Sequence, residues 1–361
     1  MLLPGIVWQP KGSFEVWNIM ENDFPRNGSS EEKMTFLLNY AILAPSIYNT
    51  QPWRFNVSDG SIMVMADESR WLEAADGNKR EMYLAIGGAI ENLIIAADHF
   101  GFSSTVSYFP DPTLLKSDLS ESYDIVARVS FQPGAFPSMD SRLFYAITLG
   151  EMNASRIVNE SLNEQKGMNR DLDKLVEAIG GLKTDQDISI ILSDDPKTRK
   201  GILSLTEAAD RSLYSDITFK SELGHWLSLG GMGPTGFHAK VDQIKVLFLD
   251  SLPGQIKMDT EVINSSPYLG FIASSKNDRE SQVRAGRLLG RISLLSSSYG
   301  SSLVSMGRAL QSEETESGAV GLRVEVDGDA NGSIVQQIFC LRSSGSTSEL
   351  TPRRPLEEVL V

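Results

Sequence analysis

A single cysteine, Cys340, stands in the 361 residues of the chain, inside the apolar run Ile-Val-Gln-Gln-Ile-Phe-Cys-Leu. One thiol can form neither an internal disulfide nor a thiolate zinc cluster, so Cys340 reads as a buried strand position. Histidine is nearly as scarce. His99, His225 and His238 are widely separated, with no H-x-x-x-H or H-x-x-E spacing, which argues against a structural metal site. No segment approaches the roughly 18 apolar residues of a membrane span, and Met1-Leu-Leu-Pro-Gly lacks the basic and apolar regions of a signal peptide. The expectation is a cytoplasmic protein with no membrane partner. Positive charge is also in deficit: 33 Lys and Arg against 47 Asp and Glu leave a formal charge of −14. That excludes non-specific attraction to nucleic acid or to an anionic membrane, so any anionic ligand needs a local arginine cluster.

What is present is an ordinary globular composition, 41% hydrophobic and 22% charged, with ample chain for a core. Residues 1–28 form an irregular arm punctuated by Pro, Gly and Asn and carrying Trp8 and Trp17. Ser29-Ser-Glu-Glu32 has the capping-box pattern, and Phe36, Leu37, Tyr40, Ala41 and Ala44 follow at helical spacing. Residues 53–57 and 61–66 alternate as strands about an Asp59-Gly60 turn. An apolar helix over 83–100 ends at Gly101, and strands follow at 104–109 and 124–131. After a break at 134–137 come a helix at 171–179, a strand at 187–192, and a helix from Pro196 to about Leu213. The glycine-rich stretch 228–236 lacks the Lys-Ser/Thr of a phosphate loop and reads as a connector or a mobile lid. A strand after Pro267, a long helix at 279–299 closed by Gly300, and strands at 303–305 and 333–342 complete the chain. Helix, Gly101-Phe-Ser-Ser, strand in the first part is echoed by helix, Gly300-Ser-Ser, strand in the second, a faint sign of duplication. This order predicts an α+β sandwich.

Three constellations carry chemistry. In Ala44-Pro-Ser-Ile-Tyr-Asn-Thr-Gln-Pro-Trp53, Pro45 and Pro52 frame a rigid non-helical turn that bunches Ser46, Asn49 and Gln51. Their donors and acceptors suit the edge of a flat heterocycle, although the same side chains could cap the preceding helix and bond the turn's own backbone. In Thr351-Pro-Arg-Arg-Pro-Leu-Glu-Glu-Val-Leu360, two prolines hold Arg353 and Arg354 extended, one guanidinium free to turn inward to a phosphate. The alternative is a solvated tail pairing with Glu357 and Glu358. Finally, Arg284, Arg287 and Arg291 share one helix face, as surface charge or as a stripe beside an anionic cofactor.

Together these pieces resemble the nitroreductase family of flavin mononucleotide enzymes, and within it the long, internally duplicated Acg-like members. The resemblance rests on 44–53, on Arg284-Ala-Gly-Arg-Leu-Leu with Tyr299-Gly300, and on 351–360. It implies a nitroreductase-like sandwich of two tandem halves, 29–148 and 149–361, forming an intramolecular pseudo-dimer after the 1–28 arm, as a monomer or a homo-oligomer. It implies FMN bordered by Ser46 and Asn49, with Gln51 and Trp53 fixing the loop, and Arg353 on the flavin phosphate beside Arg354. Arg287, on the long helix, is a further candidate for the cofactor. The family's opening Arg-Arg-Ser is absent; at 150–156 only Asn153 and Arg156 remain from it. A lost guanidinium–phosphate contact costs about 1.5–3 kcal/mol, or one to two orders of magnitude in affinity.

The activity so implied is ping-pong transfer of hydride from NAD(P)H through flavin N5 to a nitroaromatic, quinone or similar small-molecule electron acceptor. No protein acid, base or nucleophile is needed, in keeping with the lack of any triad in the sequence. A non-catalytic FMN-binding or flavin-storage protein with a lidded site, and a scaffold without cofactor, remain open on the same residues.

Overall fold

Local signals in the sequence build the first of two sheets. A capping box opens α1 (Ser30–Ala41): the Glu32 amide donates to Ser29 Oγ at 3.1 Å and the Ser29 amide to Glu32 Oε2 at 2.6 Å. β1 (Trp53–Ser58) and β2 (Ser61–Ala66) form a hairpin whose turn residues, Asp59 and Gly60, both have positive φ, 49° and 71°. That is the backbone a two-residue turn needs to match strand twist. α2 (Arg80–His99) is buried on every side from Arg80 to Asp98, a central helix rather than a surface one. The Asp76 carboxylate caps it, accepting the amides of Glu81 at 3.0 Å and Met82 at 2.9 Å. Gly101 (φ 84°) turns the chain into β3 (Phe102–Tyr108), and β4 (Asp124–Pro133) enters between β2 and β3, giving the antiparallel order β1-β2-β4-β3.

The computed structural model describes residues 14–111, 123–134, 139–148, 165–184, 187–229, 246–247, 251–311, 333–343 and 350–361. Its second part contains α3 (Gln165–Gly180), β5 (Ile188–Ser193), α4 (Pro196–Ser215), α5 (Ile217–Ser228), α6 (Leu252–Ser265), β6 (Tyr268–Ser274), α7 (Arg279–Ser298), β7 (Ser301–Ser305) and β8 (Ile334–Ser343). The order β5-β6-β8-β7 repeats that of the first sheet. Each sheet has a bulge at the same place, after Val64 and after Ile272, where its second strand meets its last. The architecture is therefore mixed helix and sheet, as the element order predicts. Two helices go beyond the expected helix ending near Leu213: α5 and α6 follow it. α5 buries Phe219, Leu223 and Trp226 against Leu72 and Ala75, and its Glu222 accepts the amides of Ala74 and Ala75 at 3.1 and 2.9 Å.

α2 and α7 cross at the centre of the molecule, and glycine makes the crossing possible. A Cβ at Gly87 would fall 2.2 Å from the Val283 carbonyl oxygen, and one at Gly286 2.1 Å from that of Leu84. Gly286 follows Gly87 by 199 positions (286 less 87), and Gly300 follows Gly101 by the same 199 (300 less 101). The two helix–glycine–strand units are thus in register. A short helix, α8 (Leu356–Val359), then carries the C-terminus onto the first sheet, where Leu360 lies parallel to Phe55 and the Val361 amide donates to the Phe55 carbonyl at 3.0 Å. No helix among the described residues is long and apolar enough to cross a membrane.

Candidate functional site

The 46–51 loop has an unusual backbone. Tyr48, Asn49 and Gln51 have φ of 49°, 54° and 50°, the left-handed region that costs each non-glycine residue about 1 kcal/mol or more. Hydrogen bonds hold it there. Ser46 Oγ accepts the Gln51 amide at 2.8 Å, and Gln51 Nε2 donates to the Asn49 carbonyl at 3.3 Å. Further bonds come from Arg70, which donates to the Thr50 carbonyl, and from the far end of the chain. Asn49 Nδ2 donates to the Pro352 carbonyl at 2.7 Å, Arg353 donates to Asn49 Oδ1 at 3.0 Å, and the Arg354 amide donates to Gln51 Oε1 at 2.7 Å.

The two C-terminal arginines are not a solvated tail; each is only 5% exposed. Arg353 also donates to the Leu43 carbonyl at 3.2 Å and to Thr351, and its guanidinium lies 5.0 Å from the centroid of the Trp17 ring. Arg354 donates to the Gln51 carbonyl at 3.1 Å and to the Glu358 carbonyl at 3.0 Å, and pairs with Asp67 at 3.2 Å. Asp67 in turn holds Arg54 at 2.9 Å. Loop and arginine pair are therefore bonded directly to one another.

The cavity lies on the other side of the loop. It encloses about 440 Å³, within the range usual for small-molecule sites. Pro45, Ser46, Ile47 and Tyr48 form one wall; Glu81, Leu84, Ala85 and Gly88 of α2 a second; Gly286, Leu289, Gly290 and Ser293 of α7 a third. Residues 303–308, running from β7 into a short 3-10 turn, close it. Both sheet units thus contribute. The walls are mainly apolar, and the residues with polar side chains are Ser46, Tyr48, Glu81, Asp259, Ser293, Ser305 and Arg308. Arg308 pairs with Asp210 at 3.0 Å and with Asp259. Burial pushes Asp210 up to about 7; Arg308 pulls it down and Asp259 raises it.

The 199-residue register explains why a second, equivalent cavity is much smaller. Ala85, Gly88 and Gly290 line the large one; their counterparts are Arg284, Arg287 and Glu91, all lining a cavity of about 160 Å³. Small residues on one side are large charged ones on the other. Glu91, 1% exposed, takes Arg287 on Oε2 at 3.0 Å and Arg291 on Oε1 at 2.5 Å, while Arg287 also donates to the Tyr108 hydroxyl at 2.6 Å.

Of the residues singled out from sequence, Ser46 lines the large cavity. Asn49, Gln51, Arg353 and Arg354 sit behind the loop, where the turn-bonding alternative describes Asn49 and Gln51 well. Arg287 belongs to the smaller cavity. Asn153, Arg156 and most of the glycine-rich stretch lie outside the described residues. Sequence reasoning missed Glu81, Gly307 and Arg308. An isolated Arg80-Glu81 at a helix start and a Met306-Gly307-Arg308 run carry no local signature, and only the fold brings them together.

A scan against protein-family models gives no match. Curated proteins do match. "Putative NAD(P)H nitroreductase Rv3131" of Mycobacterium tuberculosis is 34% identical over 93 residues, 26% of each chain, and "Putative NAD(P)H nitroreductase acg" of the same organism is 35% identical over 72 residues, 20% of this chain and 22% of that one. The chain thus covers about a quarter of the length of these relatives. "Uncharacterized protein Rv3127", also from that organism, is 22% identical over 334 residues, 89% of this chain and 90% of its own.

Proposed function

We propose that the chain is an FMN-dependent NAD(P)H oxidoreductase of the nitroreductase type, with one flavin site per chain in the 440 Å³ cavity. The observation that carries this reading is the composition of the cavity's walls: a strained loop from one sheet unit faces the end of a strand from the other across apolar helix faces. The residues fit a flat, partly polar ring. Leu84, Leu289 and Val304 supply flat apolar contact, Ser46 and Glu81 supply polar edge groups, and Gly88 and Gly290 leave the width open. Arg308 is the cation lining the cavity among the described residues, where it would meet an anionic tail. The two sheet units, each incomplete without the other's wall, act as an intramolecular pseudo-dimer, with the 1–28 arm contributing Trp17 as a cover over Arg353.

When bound, FMN supplies the chemistry: a hydride accepted from NAD(P)H and electrons passed to a nitroaromatic, quinone or similar acceptor. The chain's own residues orient and enclose. Arg353 and Arg354 keep the loop in its strained form, so Ser46 and Tyr48 meet the ligand already in position. Purified protein that is yellow, or becomes so with FMN, and oxidises NADPH only with an added acceptor supports the reading; protein that cannot be loaded with excess FMN removes it. Bound FMN that NADPH fails to reduce would favour a flavin-storage protein, a reading that gains weight because Arg353 and Arg354 are already committed to protein acceptors.

A further inference from the structure

Two acids line the cavity, Asp259, which pairs with Arg308, and Glu81, which the proposed chemistry does not use. Glu81, in the first turn of α2, is 9% exposed and lines the wall facing Gly307. The two approach so closely that a Cβ on Gly307 would fall 2.0 Å from Glu81 Oε1; glycine there is what admits the carboxyl. Gln337 of β8 fixes the orientation. Its Oε1 accepts the Ile338 amide at 2.9 Å, so its Nε2 must be the group that donates to Glu81 Oε1, at 3.0 Å. Glu81 Oε2 then has no hydrogen-bond partner among the described residues. One oxygen is committed as an acceptor and the other is unengaged among the described residues, on a side chain that lines the cavity.

We propose that Glu81 is the hydrogen-bond donor of this cavity, offering an O–H from Oε2 to an acceptor atom, a carbonyl oxygen or an unprotonated ring nitrogen, on the edge of a bound flat heterocycle. The inference rests on the flavin reading for its ligand. Burial drives the Glu81 carboxyl upward, more strongly than the Gln337 hydrogen bond and the Arg80 charge on its own helix pull it down, a shift toward the protonated form that donation needs. The other titratable groups about it are Asp76, which accepts its backbone amide and is itself pushed up to about 7 by burial and then by Glu81, and Arg308, Asp259 and Tyr48 on the cavity wall. α7 presents no charged residue to this cavity, only Gly286, Leu289, Gly290 and Ser293. A buried carboxylic acid kept neutral so that it can donate is an established way to recognise an acceptor atom in an apolar site.

Glu81→Gln is the discriminating variant. An amide can place its oxygen toward Gln337 and its NH₂ where Oε2 stood, so it keeps the donor and loses the titration. Wild-type protein, Glu81→Gln and Glu81→Leu are titrated with FMN and, to remove the phosphate's own ionisation, with riboflavin, following flavin fluorescence from about pH 5.5 to about pH 9. Wild-type affinity for both ligands should fall about tenfold across this range as the donor is lost. Glu81→Gln should bind within about threefold of wild type at the acid end and stay flat, and Glu81→Leu should bind about tenfold more weakly throughout. The ligand-free proteins give a separate readout. An acid whose folded-state pKa is raised destabilises the fold progressively as pH rises above its unfolded value near 4.3, so the Tm of Glu81→Gln should gain on wild type with rising pH. Parallel Tm profiles, or riboflavin binding by Glu81→Gln that keeps the wild-type pH dependence, overturn the donor role and leave the flavin site standing. No binding of either flavin by wild type overturns the flavin reading and this inference together.

Discussion

Gly87 and Gly286 meet backbone to backbone where α2 crosses α7, each leaving room only for the other helix's carbonyl. A methyl at either position has no flexible side chain to displace, since the nearest atoms are main-chain. Gly286→Ala should therefore destabilise the fold by about 1–3 kcal/mol through overpacking, despite the higher helix propensity of alanine. It should also widen the cavity lined by both helices and weaken any ligand there. Chemical denaturation of wild type and variant checks the first effect, and ligand titration the second.

Arg353 distinguishes a scaffold role from a phosphate role. Its donors are spent on Asn49 Oδ1, the Leu43 carbonyl and Thr351, so Arg353→Ala leaves buried acceptors unmet and frees the strained loop. The expected cost is about 2–4 kcal/mol of stability, with FMN and riboflavin affinities falling by the same factor. A loss confined to FMN would show that the guanidinium meets the phosphate instead.

Asp210 gives a pH dependence with a definite sign. Its folded-state pKa, about 7, lies above the unfolded value near 3.9. The folded protein therefore binds the extra proton between these values, and this group's contribution to stability declines as pH rises from about 4 to about 7. Asp259→Asn removes one of the groups that raise it, so the decline should shrink by about 1 kcal/mol. Tm measured at intervals across that range, as a difference between the two proteins, isolates the effect from Glu81 and Asp76, which act in the same direction.

Glu91 is a buried carboxylate between two arginines. Glu91→Gln leaves Arg287 and Arg291 without their counter-charge and should cost about 3 kcal/mol, read by denaturation. Because those residues fill the smaller cavity, the number of flavins bound per chain should not change.

How much of this was legible in the chain can be followed residue by residue. The Ser29–Glu32 capping box, the Asp59-Gly60 turn and the glycines closing α2 and α7 are local devices, and each forms where its sequence predicts. Asn49 and Gln51 were legible as hydrogen-bonding loop residues, but their main partners lie about 300 positions away, at Pro352, Arg353 and Arg354. Arg287 shows the reverse error. Its spacing places it on a helix face correctly, yet spacing cannot say which of two opposed faces holds the open cavity. That depends on Gly88 standing where the other unit has Arg287. Glu81 is invisible to pattern reading because the burial that raises its pKa, beside Gly307 and Gln337, exists only once the sheets have assembled.

The most direct test is the stoichiometry of FMN bound by the ligand-free chain, followed by flavin fluorescence quenching in wild type and in Gly88→Leu. A Cβ at Gly88 has its nearest neighbour 3.9 Å away, at Ala44, so leucine can project into the cavity without disturbing the helix crossing. The account predicts saturation at one FMN per wild-type chain and loss of binding in a folded Gly88→Leu. Two flavins per chain, none, or undiminished binding by Gly88→Leu would contradict it.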